Sequence, residues 1–314
     1  MTLTELRYIV AVARERHFGR AAESCFVSQP TLSVAVRKLE EELGVALFER
    51  GRNEVCLTPV GERIVEQAGR VLEEAAVVRQ IAQQGKDQLV GPLRVGAIYT
   101  IGPYLLPHLI PRLGRLAPEM PLVIEESYTR TLAERLKQGE LDVILVSLPF
   151  DQPQIEISPL YDEPFVVVIP SSHRWIRRDA VSARELASEN LLLLGEGHCF
   201  REQVLDACPG CGRGDNGSMQ RGVEGSSLET IRHMVASGLG VTVLPKTSTL
   251  SAPQWDSLLA IRPFRGKVPC RRVVMVWRRS FPRPKAVEIL RRAILDCRLP
   301  GVSYIERQVE AVGI

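Results

Sequence analysis

Aromatic side chains are scarce, at 5% of 314 residues. No stretch approaches the roughly 18 apolar residues that a membrane span requires. Charge of one sign is lacking too, since 40 Lys and Arg face 37 Asp and Glu for a net of +3. That balance neither demands nor forbids a nucleic-acid partner. Seven cysteines are too sparse for a disulfide scaffold, and their number is odd. The start carries only a short apolar run, residues 8–13, flanked by Arg7 and Arg14, with no small-residue cleavage site, so a signal peptide is not expected. Low-complexity tracts and internal repeats are missing as well. These absences exclude disordered, collagen-like and disulfide-stapled classes and leave a cytoplasmic protein of about two domains with reduced thiols and no membrane partner.

What is present is unevenly placed. Residues 1–60 carry 8 basic and 8 acidic side chains, whereas residues 260–300 carry 12 basic and 2 acidic. Up to residue 85 the apolar spacing is helical. Leu3, Leu6, Tyr8, Ile9 and Val12 mark one helix, and a short helix over 20–25 follows with Gly19 as its N-cap. Ser28 caps the next helix, Pro30 sits in its first turn, and Leu32, Ala35, Val36, Leu39 and Leu43 form its apolar face up to Gly44. Two short extended stretches flank a tip at residues 51–53. A long helix from 60 to about 84 carries a seam of Ile64, Val71, Ala75, Val78 and Ala82, with Gly85 as its stop. After Gly91-Pro92 the rhythm becomes β/α. Strands are expected at 93–97, 122–126, 143–148, 165–169, 191–194, 241–244 and 273–277. Helices are expected at 104–116, 132–138, 284–297 and from a capping box at Ser226-x-x-Glu229 to Ser237. A crossover near 149–162 and a return near 263–273 make this an open α/β architecture in two lobes.

A short helix, a tight turn, a second helix and a hairpin form a winged helix-turn-helix pattern, although a plain helical bundle with a polar face has the same periodicity. The outward face of the second helix holds Gln29, Pro30, Thr31, Ser33, Val34, Arg37 and Lys38, beginning at Ser28. Such side chains hydrogen-bond base edges or phosphates of double-stranded DNA. Arg50 and Arg52 near the wing tip suit a minor-groove or phosphate contact. Glu40, Glu41 and Glu42 would repel phosphate and must point away from it.

Residues 1–65 strongly resemble the N-terminus of LysR-type transcriptional regulators. The resemblance rests on Phe18-Gly19-Arg20-Ala21-Ala22, Val27-Ser28-Gln29-Pro30-Thr31-Leu32-Ser33, Lys38-Leu39-Glu40, Leu43-Gly44-Val45, Leu47-Phe48-Glu49-Arg50 and Leu57-Thr58-Pro59-Val60-Gly61. It implies a winged helix-turn-helix domain over 1–59 and a dimerisation linker helix and hinge over 60–90. A two-lobed α/β periplasmic-binding-protein-like regulatory domain would occupy 91–314. It also implies a homotetramer, a dimer of dimers, on two adjacent DNA sites, and contact with RNA polymerase.

The cysteines divide by context. Cys25, Cys56, Cys270 and Cys297 read as buried fillers. Cys199 follows Leu191-Leu192-Leu193-Leu194 and Gly195-Glu196-Gly197-His198, where a buried strand ends and a helix starts. Ligands sit at that strand-to-helix position in open α/β sheets. Helix-start amides and a nearby cation, His198 or Arg201, favour the thiolate. Cys208 lies nine positions on. If the intervening segment is helical the two are about 13 Å apart, beyond the roughly 7 Å a disulfide allows. Oxidation would then have to remodel the segment, which makes it a bistable element. Cys208-Pro209-Gly210-Cys211 is a CxxC that could bind metal with His198 and Cys199 or form a thioredoxin-like pair, and Cys211 otherwise stands open as a bystander or a backup thiol.

Residues 95–104, 195–201 and 227–245 are similar to the hydrogen-peroxide-sensing branch of the LysR family, and that similarity spans nearly the whole chain. It implies that Cys199 is the peroxidatic cysteine, that Cys208 resolves it, and that Thr100, Thr129, His198 and Arg201 line the peroxide pocket. The expected function is a peroxide-responsive regulator, mainly an activator of oxidative-stress genes, with no enzyme activity, no cofactor and no metal. The alternative is a LysR-type regulator sensing a small anionic metabolite in the cleft between the lobes. A thiol peroxidase or a zinc enzyme is opposed by the helix-turn-helix. Arg271, Arg272, Arg278, Arg279, Arg283, Arg291 and Arg292 read as a solvated face.

Overall fold

The computed structural model describes residues 1–50, 55–83, 87–210, 224–250 and 257–305. It forms two compact units, one of Met1–Lys86 with Arg135–Glu140 and one of Asp87–Glu134 with Leu141–Ile314.

The first unit opens with α1 (Leu3–Glu15), α2 (Phe18–Ser24) and α3 (Gln29–Leu43). The cap of α2 is His17, not Gly19. Its imidazole Nδ1 accepts from the Gly19 and Arg20 amides, an acceptor that glycine cannot supply. Ser28 caps α3, and Gly44 ends it in the left-handed region at φ 69°. Leu32, Val36 and Leu39 are buried with Ile9, Val12, Ala21 and Ala22 in one core, while Leu43 of the expected face stays exposed. The wing strands β1 (Phe48–Arg50) and β2 (Val55–Leu57) pair antiparallel. Glu40 explains its own presence on α3, because Oε1 accepts from the Leu47 and Phe48 amides and ties helix to wing. The long helix α4 (Pro59–Gln83) divides its expected seam. Ile64 packs on the core with Val65, Ala68 and Leu72, whereas Val71 and Val78 face solvent. The expected stop at Gly85 lies outside the described residues.

The second unit alternates strands and helices: β3 (Leu93–Ile98), α5 (Gly102–Leu116), β4 (Leu122–Ser127), α6 (Thr129–Lys137), β5 (Val143–Ser147), β6 (Ile155–Pro170), α7 (Ala183–Leu186), β7 (Leu191–Leu194) and α8 (Cys199–Ala207). Then come β8 (Glu224–Gly225), α9 (Leu228–Ala236), β9 (Val241–Pro245), β10 (Leu259–Arg262), β11 (Cys270–Arg278), α10 (Pro284–Leu295) and β12 (Ser303–Tyr304). The sheet order is β4-β3-β5-β11-β6-β9-β7-β8, with β10 and β12 also on β6. One lobe is built on parallel β4, β3 and β5, the other on β9, β7 and β8, and β6 runs through both.

Two expectations are corrected here. The crossover near 149–162 is largely strand, since β6 starts at Ile155. Pro159 masks it in the sequence. That proline lies opposite Val274, beside a bulge at Leu160 of β6 itself that locally relieves the ladder. The cap of α9 is Ser227, accepting from the Thr230 amide, rather than Ser226. Glu229 closes no capping box and instead accepts from the Tyr104 hydroxyl at 3.1 Å.

Nor is the basic run a solvated face. Arg271, Arg278, Arg283 and Arg291 are buried. Arg283 donates to the carbonyls of Gln88, Val90, Gly91 and Pro92, gripping the chain where it enters this unit. Arg278 donates to the Leu141 carbonyl and Arg291 to Ser158 Oγ. On β11 the alternation of faces decides which arginine goes in. Arg271 lies opposite Glu163 and is buried, while Arg272 lies opposite Asp162 and is exposed.

Candidate functional site

The C-terminal ends of β3, β4 and β5 meet the β7–α8 connection from the other lobe. Cys199 is the first residue of α8, His198 its cap position, and the thiol is free and half-buried. Ser147, the last residue of β5, places Oγ 3.5 Å from Cys199 Sγ. Gln203, one turn along α8, donates Nε2–H to Ser147 Oγ at 3.0 Å and to the Leu148 carbonyl at 3.0 Å. With its oxygen already accepting, Ser147 has its own O–H left to donate to sulfur.

Thr100 is set in the same way. Arg271 Nη1 donates to Thr100 Oγ1 at 2.7 Å and Nη2 to the Thr100 carbonyl at 2.7 Å, so the hydroxyl proton is free to point elsewhere. The Arg271 guanidinium is fully buried, 2.8 Å from Glu163 Oε2, and lies 5.3 Å from the ring centroid of Phe200, beside Cys199. Glu163 in turn accepts from the Thr247 amide at 2.9 Å and from its hydroxyl. A buried charge this well paired fixes geometry across the lobes.

His198 is buried, and burial holds its pKa below the ordinary histidine value against a hydrogen bond to the Ser226 backbone. Its ring stacks on Tyr128 at 4.8 Å and Tyr99 at 5.8 Å between centroids. Arg201 spends its guanidinium on the Leu194 carbonyl at 2.7 Å and on Glu224 at 2.8 Å. A second guanidinium, that of Arg271, thus lies against Phe200, the residue after Cys199. Thr129 begins α6, and its Oγ1 is buried without a partner, as are Glu126 Oε1 and Gln203 Oε1. Buried polar atoms without a partner call for an explanation such as a small polar ligand.

Cys208 caps the far end of α8, 1% exposed. It already carries a disulfide that Cys199 does not share. Cys211 lies outside the described residues. The other cysteines are not uniformly buried as expected. Cys297 is, and burial pushes its thiol up to about 11. Cys56 is exposed because the alternation of its short strand turns it outward, Cys270 is exposed at the first position of β11, and Cys25 is half-buried. No group of three or more metal-ligating side chains converges among the described residues.

In the first unit Ser28, Gln29, Pro30, Thr31, Val34, Arg37 and Lys38 are exposed along α3, and Ser33 is half-buried. The Ser28 and Thr31 hydroxyls engage each other at 2.8 Å as part of the cap. Arg50 ends β1, and Arg52 lies outside the described residues. Phe26, in the turn before α3, is 96% exposed at a left-handed φ of 58°. Sequence reading passed over it because a turn phenylalanine reads as core.

Ser147, Gln203, Glu163 and Arg271 were also missed as site residues. Gln203 carried a signal, being four residues from Cys199 on one helix. Ser147 carried another, as the polar end of an apolar parallel strand.

Comparison with known proteins bears on both units. Residues 3–62 match the model for the bacterial regulatory helix-turn-helix protein, lysR family, and residues 86–297 match the LysR substrate binding domain. A DNA-binding transcriptional dual regulator OxyR of Escherichia coli K12 is 40% identical over 294 residues, 94% of this chain and 95% of its own. A hydrogen peroxide-inducible genes activator of Haemophilus influenzae is 36% identical over 94% of this chain and 97% of its own. Among solved structures, a full-length OxyR from Pseudomonas aeruginosa with a Cys-to-Asp substitution is similar, with a TM-score of 0.75, 55% identity and coverage of 98% of this chain and 99% of that one. A hydrogen-peroxide-bound OxyR mutant from Corynebacterium glutamicum has a TM-score of 0.62 and 34% identity over 94% of this chain and 92% of its own.

Proposed function

The chain belongs to the LysR family of bacterial regulators, in its OxyR branch, and from that premise we propose that it is a peroxide-responsive, DNA-binding transcriptional regulator switched at Cys199. The observation that carries this reading is the free Cys199 thiol at the first position of α8, with the Ser147 hydroxyl 3.5 Å from its sulfur. In the proposed reaction the Cys199 thiolate attacks one oxygen of hydrogen peroxide. The S–O bond forms, the O–O bond breaks, and the departing hydroxide takes a proton to become water. Thr100, Thr129 and His198 hold the peroxide in this reading. Arg201, tied to Leu194 and Glu224, acts from behind by fixing the start of α8.

The sulfenic acid then condenses with the thiol of Cys208, forming the disulfide and releasing a second water. Cys208 must itself be a thiol for this step, so a thiol reductant must first reduce its disulfide by two electrons and is itself oxidised to a disulfide. Nine residues of helix at about 1.5 Å each also separate the pair, so α8 must open. Refolding of that element is the signal. We assign the output to a homotetramer, a dimer of dimers joined through α4 with its exposed Val71 and Val78, acting on duplex DNA in the cytoplasm and through RNA polymerase. On this reading the protein activates oxidative-stress genes, is not an enzyme and needs no cofactor.

The test starts from fully reduced full-length protein. One equivalent of hydrogen peroxide should link Cys199 to Cys208 in peptide mass mapping and change the DNA footprint. A Cys199→Ser variant should bind DNA with one footprint whether or not peroxide is present. A peroxide-dependent footprint change surviving in that variant would overturn the mechanism, and a link from Cys199 to Cys211 would reassign the partner.

A further inference from the structure

Three aromatic rings from three separate strand ends meet at the start of α8. Tyr99 follows β3, Tyr128 follows β4 and His198 follows β7. The tyrosines stack edge to face with ring centroids 5.4 Å apart, and each also packs on His198. Their placement relative to the expected pocket is regular. Tyr99 precedes Thr100 and Tyr128 precedes Thr129. The tyrosines are 37% and 40% exposed, whereas Thr100 is buried and the Thr129 hydroxyl is buried without a partner. Hydroxyls point in and rings lie outside them.

Gly197 brings the chain up under the Tyr128 ring. It has φ +92°, and a Cβ there would stand 3.3 Å from both Cδ1 and Cε1 of Tyr128. The ring thus lies directly on the backbone that leads into Cys199.

We propose that Tyr99 and Tyr128 determine the specificity of Cys199 by narrowing its approach to the smallest hydroperoxides. This rests on the peroxide reading above. The same chemistry is open to any hydroperoxide, because sulfur takes one oxygen, the O–O bond breaks, and the other oxygen leaves as hydroxide or alkoxide and is protonated to water or an alcohol. Selection must come from access. Two heavy atoms pass beside stacked rings, whereas a tertiary carbon with three methyl groups must displace them.

The experiment measures the rate of Cys199 sulfenic acid formation in reduced full-length protein with hydrogen peroxide and with tert-butyl hydroperoxide. The readout is the ratio of the two rate constants. In the Tyr99→Ala/Tyr128→Ala variant, the rate with tert-butyl hydroperoxide relative to hydrogen peroxide should rise at least tenfold. In Tyr99→Phe/Tyr128→Phe, which keeps the rings, the ratio should stay as in the wild type. An unchanged ratio in the alanine variant overturns the proposal, as does a phenylalanine variant that behaves like the alanine one. Should the alanine variant fail to fold, Tyr99→Leu and Tyr128→Leu decide by the same ratio. A wild-type protein whose Cys199 ignores hydrogen peroxide sinks the peroxide reading itself, an outcome separate from a failure of the size filter.

Discussion

The two units keep their working side chains in opposite places. Along α3 the candidate DNA contacts are exposed, contiguous in sequence and backed by a core of Leu32, Val36 and Leu39 that they do not share. In the regulatory unit the working groups are inside. Thr100, His198, Glu163 and Arg271 are all buried, and they come from the segments after β3 and β7 and from β6 and β11. Function is therefore separable from stability in the first unit and joined to it in the second. Substitutions on α3 should change binding without changing unfolding. Substitutions around Cys199 should change both.

The largest expected effect breaks that comparison most directly, within a single pair of strands. Glu163→Gln leaves the fully buried Arg271 guanidinium without its counter-charge, while Asp162→Asn, one residue away, removes an exposed pair at 2.8 Å. Losing one partner of a buried pair costs about 3–5 kcal/mol, and losing an exposed pair costs at most about 1 kcal/mol. Urea unfolding of the two variants should show this gap. Oxidation of Cys199 should slow in Glu163→Gln alone, because Arg271 also positions Thr100. Equal losses in the two variants would show that burial is not what separates these neighbours.

On the exposed side, Gln29→Ala should weaken binding to a footprinted operator by about 1–3 kcal/mol at one base-pair position, the worth of a bidentate base contact. Arg37→Ala should weaken binding to all sequences and lower the salt slope by about one. Neither should move the midpoint of thermal unfolding, since both side chains are exposed. A shift in that midpoint would mean that α3 is not the detachable reading surface it resembles.

The same contrast explains what the sequence disclosed. The helix-turn-helix was readable because its signals are local: Ser28 at the cap, Pro30 in the first turn, Gly44 at the end and apolar residues at helical spacing between them. Cys199 was readable for a similar reason, since four leucines, two glycines and a helix follow one another in the chain. Its neighbours were not. Ser147 reaches Cys199 across 52 residues, and Arg271 reaches Thr100 across 171. No spacing rule connects such pairs before strand order is known. Arg271 and Arg272 are the same residue type side by side, and only register against β6 sends one inward. Pro159 hid half of β6 because the bulge at Leu160 that accommodates it shows only in the pairing with β11.

The smallest effect concerns His198, the one ring in the site that can take up a proton near neutral pH. An unfolded histidine titrates near 6.5, and burial holds folded His198 below that value. Between the two values the unfolded chain binds more protons than the folded one, so acid favours unfolding. The contribution is complete above the ordinary histidine value and is lost as the pH falls through that window. His198→Asn should therefore flatten the fall in regulatory-unit stability as the pH drops through and below the ordinary histidine value of about 6.5, relative to wild type. Carboxylates titrate mostly below that range, which keeps the difference between the two proteins assignable to this ring. A steeper slope in the variant would place the proton on another group and leave His198 as packing for Tyr99 and Tyr128.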